Sequence, residues 1–204
     1  MNSDLPELPR VRVVIPCRNE AAYIGRCLHS LIAADRSGMQ AEAWVCDGLS
    51  DDGTREAIVA LAGEHPWIKL VDNPARTTPQ AMNIGLKPAG YDVGILLGAH
   101  AEVEADFLRA NIDVLAANPQ AGCVGGTIAN VYTDSGSRRI GAAMGHPFGV
   151  GGAHFRTGLK EGEVDPVAFG AYRREALAVL VAGLGVVAER RVQLDRDVGV
   201  ERAH

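Results

Sequence analysis

Apolar positions along the first 120 residues switch between two periods. Val11-Arg-Val-Val-Ile-Pro16, Ala43-Trp-Val-Cys-Asp47, Ile68-Lys-Leu-Val-Asp72 and Val93-Gly-Ile-Leu-Leu97 are short, β-rich runs that read as buried strands. Helical spacing fills the gaps between them. Ile24, Cys27, Leu28, Leu31 and Ile32 share one face of a first helix whose N-terminus falls at Asn19 or Glu20. Ala57, Ile58, Leu61 and Ala62 face the core from a second helix, with Ser50 or Asp51 as its cap. Thr78 followed by Pro79 opens a third helix by the N-cap and N1-proline pattern, and Gly85 is placed to close it. Phe107, Leu108, Ile112 and Leu115 mark a fourth. Four β-then-α units predict an α/β fold with an open, mostly parallel sheet flanked by helices. Ligands of such sheets bind at the carboxyl ends of the strands.

From Cys123 onward the pattern breaks. Gly125-Gly126 and the stretch Gly145 to Gly158 are glycine-rich, and helical periodicity returns only near Arg173. Four of the ten aromatic residues, Phe148, Phe155, Phe169 and Tyr172, crowd into residues 148–172, which marks a functional loop rather than filler. The 204-residue chain is 47% hydrophobic, enough for a core and too much for a disordered segment. Its net charge of −5 argues against a nucleic-acid binder or a whole-surface lipid binder. Cys17, Cys27, Cys46 and Cys123 form no CxxC pair; they read as free thiols in a reducing cytoplasm, with no zinc site and no disulfide framework. The acidic, proline-broken start is not a signal-peptide pattern, and the longest uncharged apolar run, Ala176 to Ala188, is short of the ~20 residues a bilayer span needs.

Chemistry collects at the strand ends. The first strand runs into Pro16-Cys-Arg-Asn-Glu20 and the second into Asp47-Gly-Leu-Ser-Asp-Asp-Gly-Thr54. Neither GxGxxG nor GxxxxGK[ST] is present, which disfavours a dinucleotide site and a P-loop. A carboxylate at a strand end accepts hydrogen bonds from a nucleobase N–H or ribose hydroxyls. The same Asp47 and Ser50 also suit a plain turn that caps the next helix.

Taken in order, these motifs resemble the family 2 glycosyltransferases of the GT-A fold, most of all the subgroup that builds succinoglycan and other exopolysaccharides. The likeness covers about residues 10–175. It rests on PxxNE (Pro16, Asn19, Glu20), the Asp47–Thr54 turn, Ala81-x-Asn83-x-Gly85, and Ala99-His-Ala101 after strand four. Val124-Gly-Gly126, Phe148-Gly-Val-Gly-Gly-Ala-His-Phe-Arg156 and Val164-Asp-Pro-Val-Ala-Phe-Gly-Ala-Tyr-Arg-Arg-Glu175 extend it. The resemblance implies a tail over 1–10, a GT-A domain over 11–175 with a donor half (11–120) and an acceptor side (121–175), and a divergent tail over 176–204. It implies inverting transfer of a sugar from a nucleotide-diphospho-sugar of UDP type to a lipid-linked or oligosaccharide acceptor. The setting is cytoplasmic, at most peripheral to the inner face of the membrane. Pro16, Arg18, Asn19, Glu20, Asp47, Gly48 and Asn83 then belong to the nucleotide site, and Phe148, His154, Phe169 and Tyr172 to the acceptor. His100 is the metal ligand for Mn²⁺ or Mg²⁺. With no Lys/Arg cluster expected at the rim, that ion is what would balance the diphosphate's charge.

Two departures stand out. Gly98 occupies the position where the family carries an oxygen ligand, which weakens the metal site. The family's later acidic base motif is also missing. Asp165, on the acceptor side, and Asp197, in a charged tail that reads as a solvated helix or frayed end and whose abrupt loss of likeness suggests truncation, are the remaining candidates for the general base. The alternative function is therefore a catalytically impaired module that binds a nucleotide sugar without turning it over.

Overall fold

In the computed structural model, residues 8–130, 162–163, 168–182, 191–193 and 200–202 are described. The strands are β1 (Arg10–Cys17), β2 (Gln40–Asp47), β3 (Ile68–Asp72), β4 (Val93–Leu96), β5 (Ala101–Val103), β6 (Cys123–Gly126), β7 (Ile128–Asn130), β8 (Gly162–Glu163), β9 (Ala168–Arg173), β10 (Arg191–Gln193) and β11 (Val200–Arg202). The helices are α1 (Ile24–Ala33), α2 (Thr54–Glu64), α3 (Thr78–Leu86), α4 (Phe107–Ala117) and α5 (Arg174–Ala182). The main sheet has the order β3-β2-β1-β4-β9-β6-β10-β8, and β5-β11-β7 form a second sheet. β1, β2, β3 and β4 pair in parallel, as expected of β-then-α units. The β9 strand then runs antiparallel to both β4 and β6.

The sheet is covered on both faces, so its strands are apolar on both sides rather than alternating with polar residues. Val11, Val13 and Ile15 point into a core with α1, α2 and α4, through Cys27, Leu28, Ile58, Phe107 and Leu108. Val14 and Cys46 face the opposite way, against Ala81, Leu86, Tyr91 and Leu177. All four cysteines are buried thiols.

On that second face sits Arg12, 3% exposed. Its Nε donates to Glu42 Oε1 at 2.6 Å, and its Nη atoms donate to the carbonyls of Gly85, Pro88 and Ala89 at 3.0–3.3 Å. The guanidinium lies 4.2 Å from the Trp44 ring centroid and 4.8 Å from that of Tyr91. A cation at a helix C-terminus satisfies the last carbonyls, so Arg12 closes α3 where Gly85 was expected to. Gly85 instead lies within α3 and lets it approach β1: a Cβ there would come 2.5 Å from Val14 Cγ1.

Two further expectations change. The N-cap of α2 is Gly53, at φ 99 and with no side-chain cap bond, rather than Ser50 or Asp51. Of the two readings of the tail, a solvated charged helix or a frayed end, the helix is replaced, where described, by the short strands β10 and β11.

Gly85→Ala is expected to cost about 1–3 kcal/mol in urea unfolding, by overpacking against Val14. Gly63→Ala, in the open on α2, is expected to stabilise by about 0.5–1 kcal/mol.

Candidate nucleotide-sugar site

The parallel register lines up the strand ends. Cys17 sits opposite Asp47, and Asp47 opposite Asp72. The Asp47 side chain is fully buried. It accepts hydrogen bonds from the Ser50 backbone N–H at 2.9 Å, the Ser50 hydroxyl, Arg55 Nη1 at 2.7 Å and the Cys17 thiol at 3.4 Å. Arg55 Nη2 reaches on to Asp72 at 2.8 Å. Burial works to raise the Asp47 pKa, but the Ser50 and Arg55 hydrogen bonds outweigh it and hold the carboxyl below its ordinary value. Burial, helped by Asp47, pushes the Cys17 thiol well up, so it is an inert donor rather than a nucleophile.

The loops after β1 and β2 are stitched together. The Asn19 N–H donates to Ser50 Oγ at 2.8 Å, and Asn19 Oδ1 accepts from the Asp51 N–H at 3.2 Å. The Glu20 N–H donates to Thr54 Oγ1 at 2.7 Å, and Asp52 accepts from the N–H groups of Ala21 and Thr54. Asn19 holds a φ of 55 for this purpose, a conformation that asparagine tolerates better than most residues.

Two cavities open above these ends and share Pro16, Glu20 and Thr78, so they form one trough. The smaller, about 180 Å³, is lined by Arg18, Asn73, Arg76 and Thr77 among others. The larger, about 420 Å³, is lined by Met82, Leu96, Gly98, His100, Phe169 and Tyr172 among others. Pro16, Arg18, Glu20, His100, Phe169 and Tyr172, which the sequence reading divided among nucleotide, metal and acceptor roles, line this one trough. Gly48 lies beneath the Arg18 stem: a Cβ there would come 3.1 Å from Arg18 Cβ and Cδ. Asp47 is brought to the rim but spends its oxygens on protein donors. Asn83 is half-buried on α3 and lines neither cavity. Phe148, His154, Asp165 and Asp197 lie outside the described residues.

The sequence reading missed Asn73 and Arg76. Asn73 is 2% exposed; its Nδ2 donates to the Thr77 carbonyl at 3.0 Å, while its Oδ1 is buried with no hydrogen-bond partner among the described residues. Arg76 holds φ 57 in the same loop. Strand three ending at Asp72, followed by Asn-Pro-Ala-Arg-Thr-Thr-Pro, was the available signal: a polar loop at a third strand end. The rim, expected to lack clustered Lys or Arg, in fact carries Arg18 and Arg76 on one cavity, with Arg55 beneath it.

The residues described do not fit a divalent cation. Gly98 offers no ligand, and the Phe169 ring packs over it, 3.2 Å from where a Cβ would stand. His100 Nε2 lies 3.1 Å from Glu20 Oε2, and its ring stacks on Tyr23 at 4.9 Å. Glu102 pairs with Arg26 at 3.5 Å. Among the described residues no three His, Cys, Asp or Glu side chains gather as a ligand set, so the cation expected at His100 has no cage there.

An α/β sheet with a polar trough over parallel strand ends, followed by an antiparallel β9 that walls one side, is the GT-A architecture. The chain belongs to glycosyl transferase family 2, whose model matches residues 12–180. It is 31% identical over 161 residues to the succinoglycan biosynthesis protein ExoA of Rhizobium meliloti, covering 78% of this chain and 48% of that protein. It is 35% identical over 127 residues to a dolichyl N-acetyl-alpha-D-glucosaminyl phosphate 3-beta-D-2,3-diacetamido-2,3-dideoxy-beta-D-glucuronosyltransferase of Methanococcus voltae, covering 59% of this chain and 40% of that one. Among solved structures, Staphylococcus aureus TarS in complex with UDP superposes with a TM-score of 0.69 at 17% identity, over 94% of this chain and 60% of that one. The mannosyltransferase PcManGT of Pyrobaculum calidifontis, with GDP-Man and Mn²⁺, gives 0.69 at 22% identity, over 97% and 58%. The chain therefore spans about half the length of the curated relatives it matches.

Because the folded Asp47 pKa is depressed, its contribution is present above the unfolded value and lost as pH falls through the folded one. Asp47→Asn is expected to lose about 3 kcal/mol at pH 7. The deficit against the native chain narrows below about pH 4 in urea titrations across pH.

Proposed function

We propose that the chain binds a nucleotide-diphospho-sugar of the UDP type in this trough and transfers the sugar, with inversion, to a saccharide or lipid-linked acceptor. The observation that carries this reading is the buried Asn73 Oδ1. Its amide nitrogen is committed to Thr77 O, so the side chain presents an acceptor that still needs a donor, and a buried acceptor left unmatched is costly. A uracil or guanine imide N–H supplies that donor; cytosine and adenine present an acceptor there instead. The smaller cavity, about 180 Å³, suits a one-ring base.

Names of relatives point the same way. TarS is described with UDP and with UDP-GlcNAc, PcManGT with GDP-Man, and the Methanococcus enzyme by a dolichyl-linked acceptor. Polysaccharide or glycolipid assembly is the matching process, on the cytoplasmic side, at the membrane surface when the acceptor is lipid-linked. Among the described residues no helix is long and apolar enough to cross a membrane.

With the base in the smaller cavity, the sugar lies toward the larger one, where Phe169 and Tyr172 offer rings for sugar faces. The acceptor hydroxyl oxygen attacks the anomeric carbon and the bond from that carbon to the phosphate oxygen breaks. Its electron pair leaves on the diphosphate, and the hydroxyl proton goes to a carboxylate base. Asp165 and Asp197 stay the candidates for that base. A second reading, binding without turnover, is favoured by Gly98 and separates from the first by assaying release of UDP with acceptor present.

Calorimetric titration of the chain is expected to show UDP binding about tenfold or more tighter than CDP and ADP, with Asn73→Ala erasing the difference. CDP binding as tightly as UDP would contradict the assignment of Asn73.

A further inference from the structure

The negative charge of a diphosphate must be met by something, and the described residues supply no cation cage. Gly98 carries no carboxylate and is roofed by Phe169, while His100 is engaged by Glu20. Most rim and surface arginines are also spoken for: Arg10 by Asp92, Arg26 by Glu102, Arg55 by Asp47 and Asp72, and Arg109 by Asp113. Arg18 and Arg76 differ. Both are exposed, neither has a carboxylate partner among the described residues, and both line the smaller cavity. Arg18 is fixed at its base, since its aliphatic stem lies across Gly48, where any side chain would displace it. Arg76 is held in a left-handed conformation (φ 57) that costs an ordinary residue free energy, and its backbone N–H is bonded to the Asn73 carbonyl at 2.9 Å. The loop thus presents the arginine beside the buried Asn73 amide. The first turn of α3 ends in the same cavity at Thr77 and Thr78, adding the favourable end of a helix dipole.

We propose that Arg18 and Arg76 grip the diphosphate of the donor, so that this chain binds its nucleotide without a divalent cation. This rests on the nucleotide reading above. Two planar guanidinium groups supply two positive charges and forked hydrogen-bond donors, the geometry that phosphate oxygens accept best. The leaving diphosphate is then met by protein charge rather than by a metal ion.

Uridine and UDP are titrated into the native chain, Arg18→Ala and Arg76→Ala, each in EDTA and in excess Mn²⁺ or Mg²⁺. Both arginines are exposed, and alanine keeps the Cβ at each site, so folding is unchanged, as a matching melting temperature verifies. UDP is expected to bind the native chain equally in EDTA and in metal, more tightly than uridine, and more weakly as salt is raised. Each arginine variant is expected to lose about tenfold or more in UDP affinity, well beyond whatever it loses in uridine affinity. UDP binding that appears only with Mn²⁺ or Mg²⁺, or variants that bind UDP like the native chain, would overturn the arginine grip while leaving the nucleotide site standing. Failure of both uridine and UDP to bind in any condition would overturn the nucleotide reading itself.

Discussion

A carboxylate buried at the end of a parallel strand has to be surrounded by donors, and at Asp47 those donors come from three separate elements. Cys17 reaches it from the end of β1, Ser50 from the following turn and Arg55 from α2. Through Arg55 the set extends to Asp72 at the end of β3, and the Asp47 carbonyl accepts from the Asn73 N–H at 2.7 Å. One anion thereby fixes where three strands stop and where two loops begin. Broken from one side only, such a pairing leaves an uncompensated buried charge, which is why its geometry is unforgiving.

That arrangement explains how an acidic chain builds a cavity on which arginines stand without carboxylate partners among the described residues. The carboxylates nearest the trough are turned inward or paired: Asp47 to Ser50 and Arg55, Asp52 to the loop amides, Glu20 to His100. Burial, with Asp52 nearby, raises the Glu20 pKa. Arg18, Arg76 and the buried Asn73 line the cavity instead. Net charge therefore says little about the local field, because pairing decides which charges a ligand meets.

The first four strands and their helices were legible in the sequence because both faces of this sheet are covered, which writes continuous apolar runs such as Val11–Pro16 and Val93–Leu97. The strand ends were legible for the same reason: each run stops at a polar cluster. What could not be read locally was anything set by distant pairing. The β9 strand enters between β4 and β6 from a segment with no clean period, and its Phe169 takes the space over Gly98. Gly85 looked like a helix stop and is a point of contact with Val14, while Arg12, inside an apolar run, closes that helix from the neighbouring strand. Asp47 looked like an open ligand group because its spacing to Ser50 and Arg55 does not reveal that all three turn toward one another. Arg18 and Arg76 are 58 positions apart in the chain, so their meeting depends on the parallel register of β1, β2 and β3.

The central claim, that the loops after β1 and β3 hold a nucleotide over the strand ends, is tested most directly by amide hydrogen exchange of the chain with and without saturating UDP. Slowed exchange is expected within residues 16–20 and 73–78, with α4 unchanged. Unchanged exchange in both loops, or protection confined to a surface away from Pro16, Asn73 and Arg76, would contradict it.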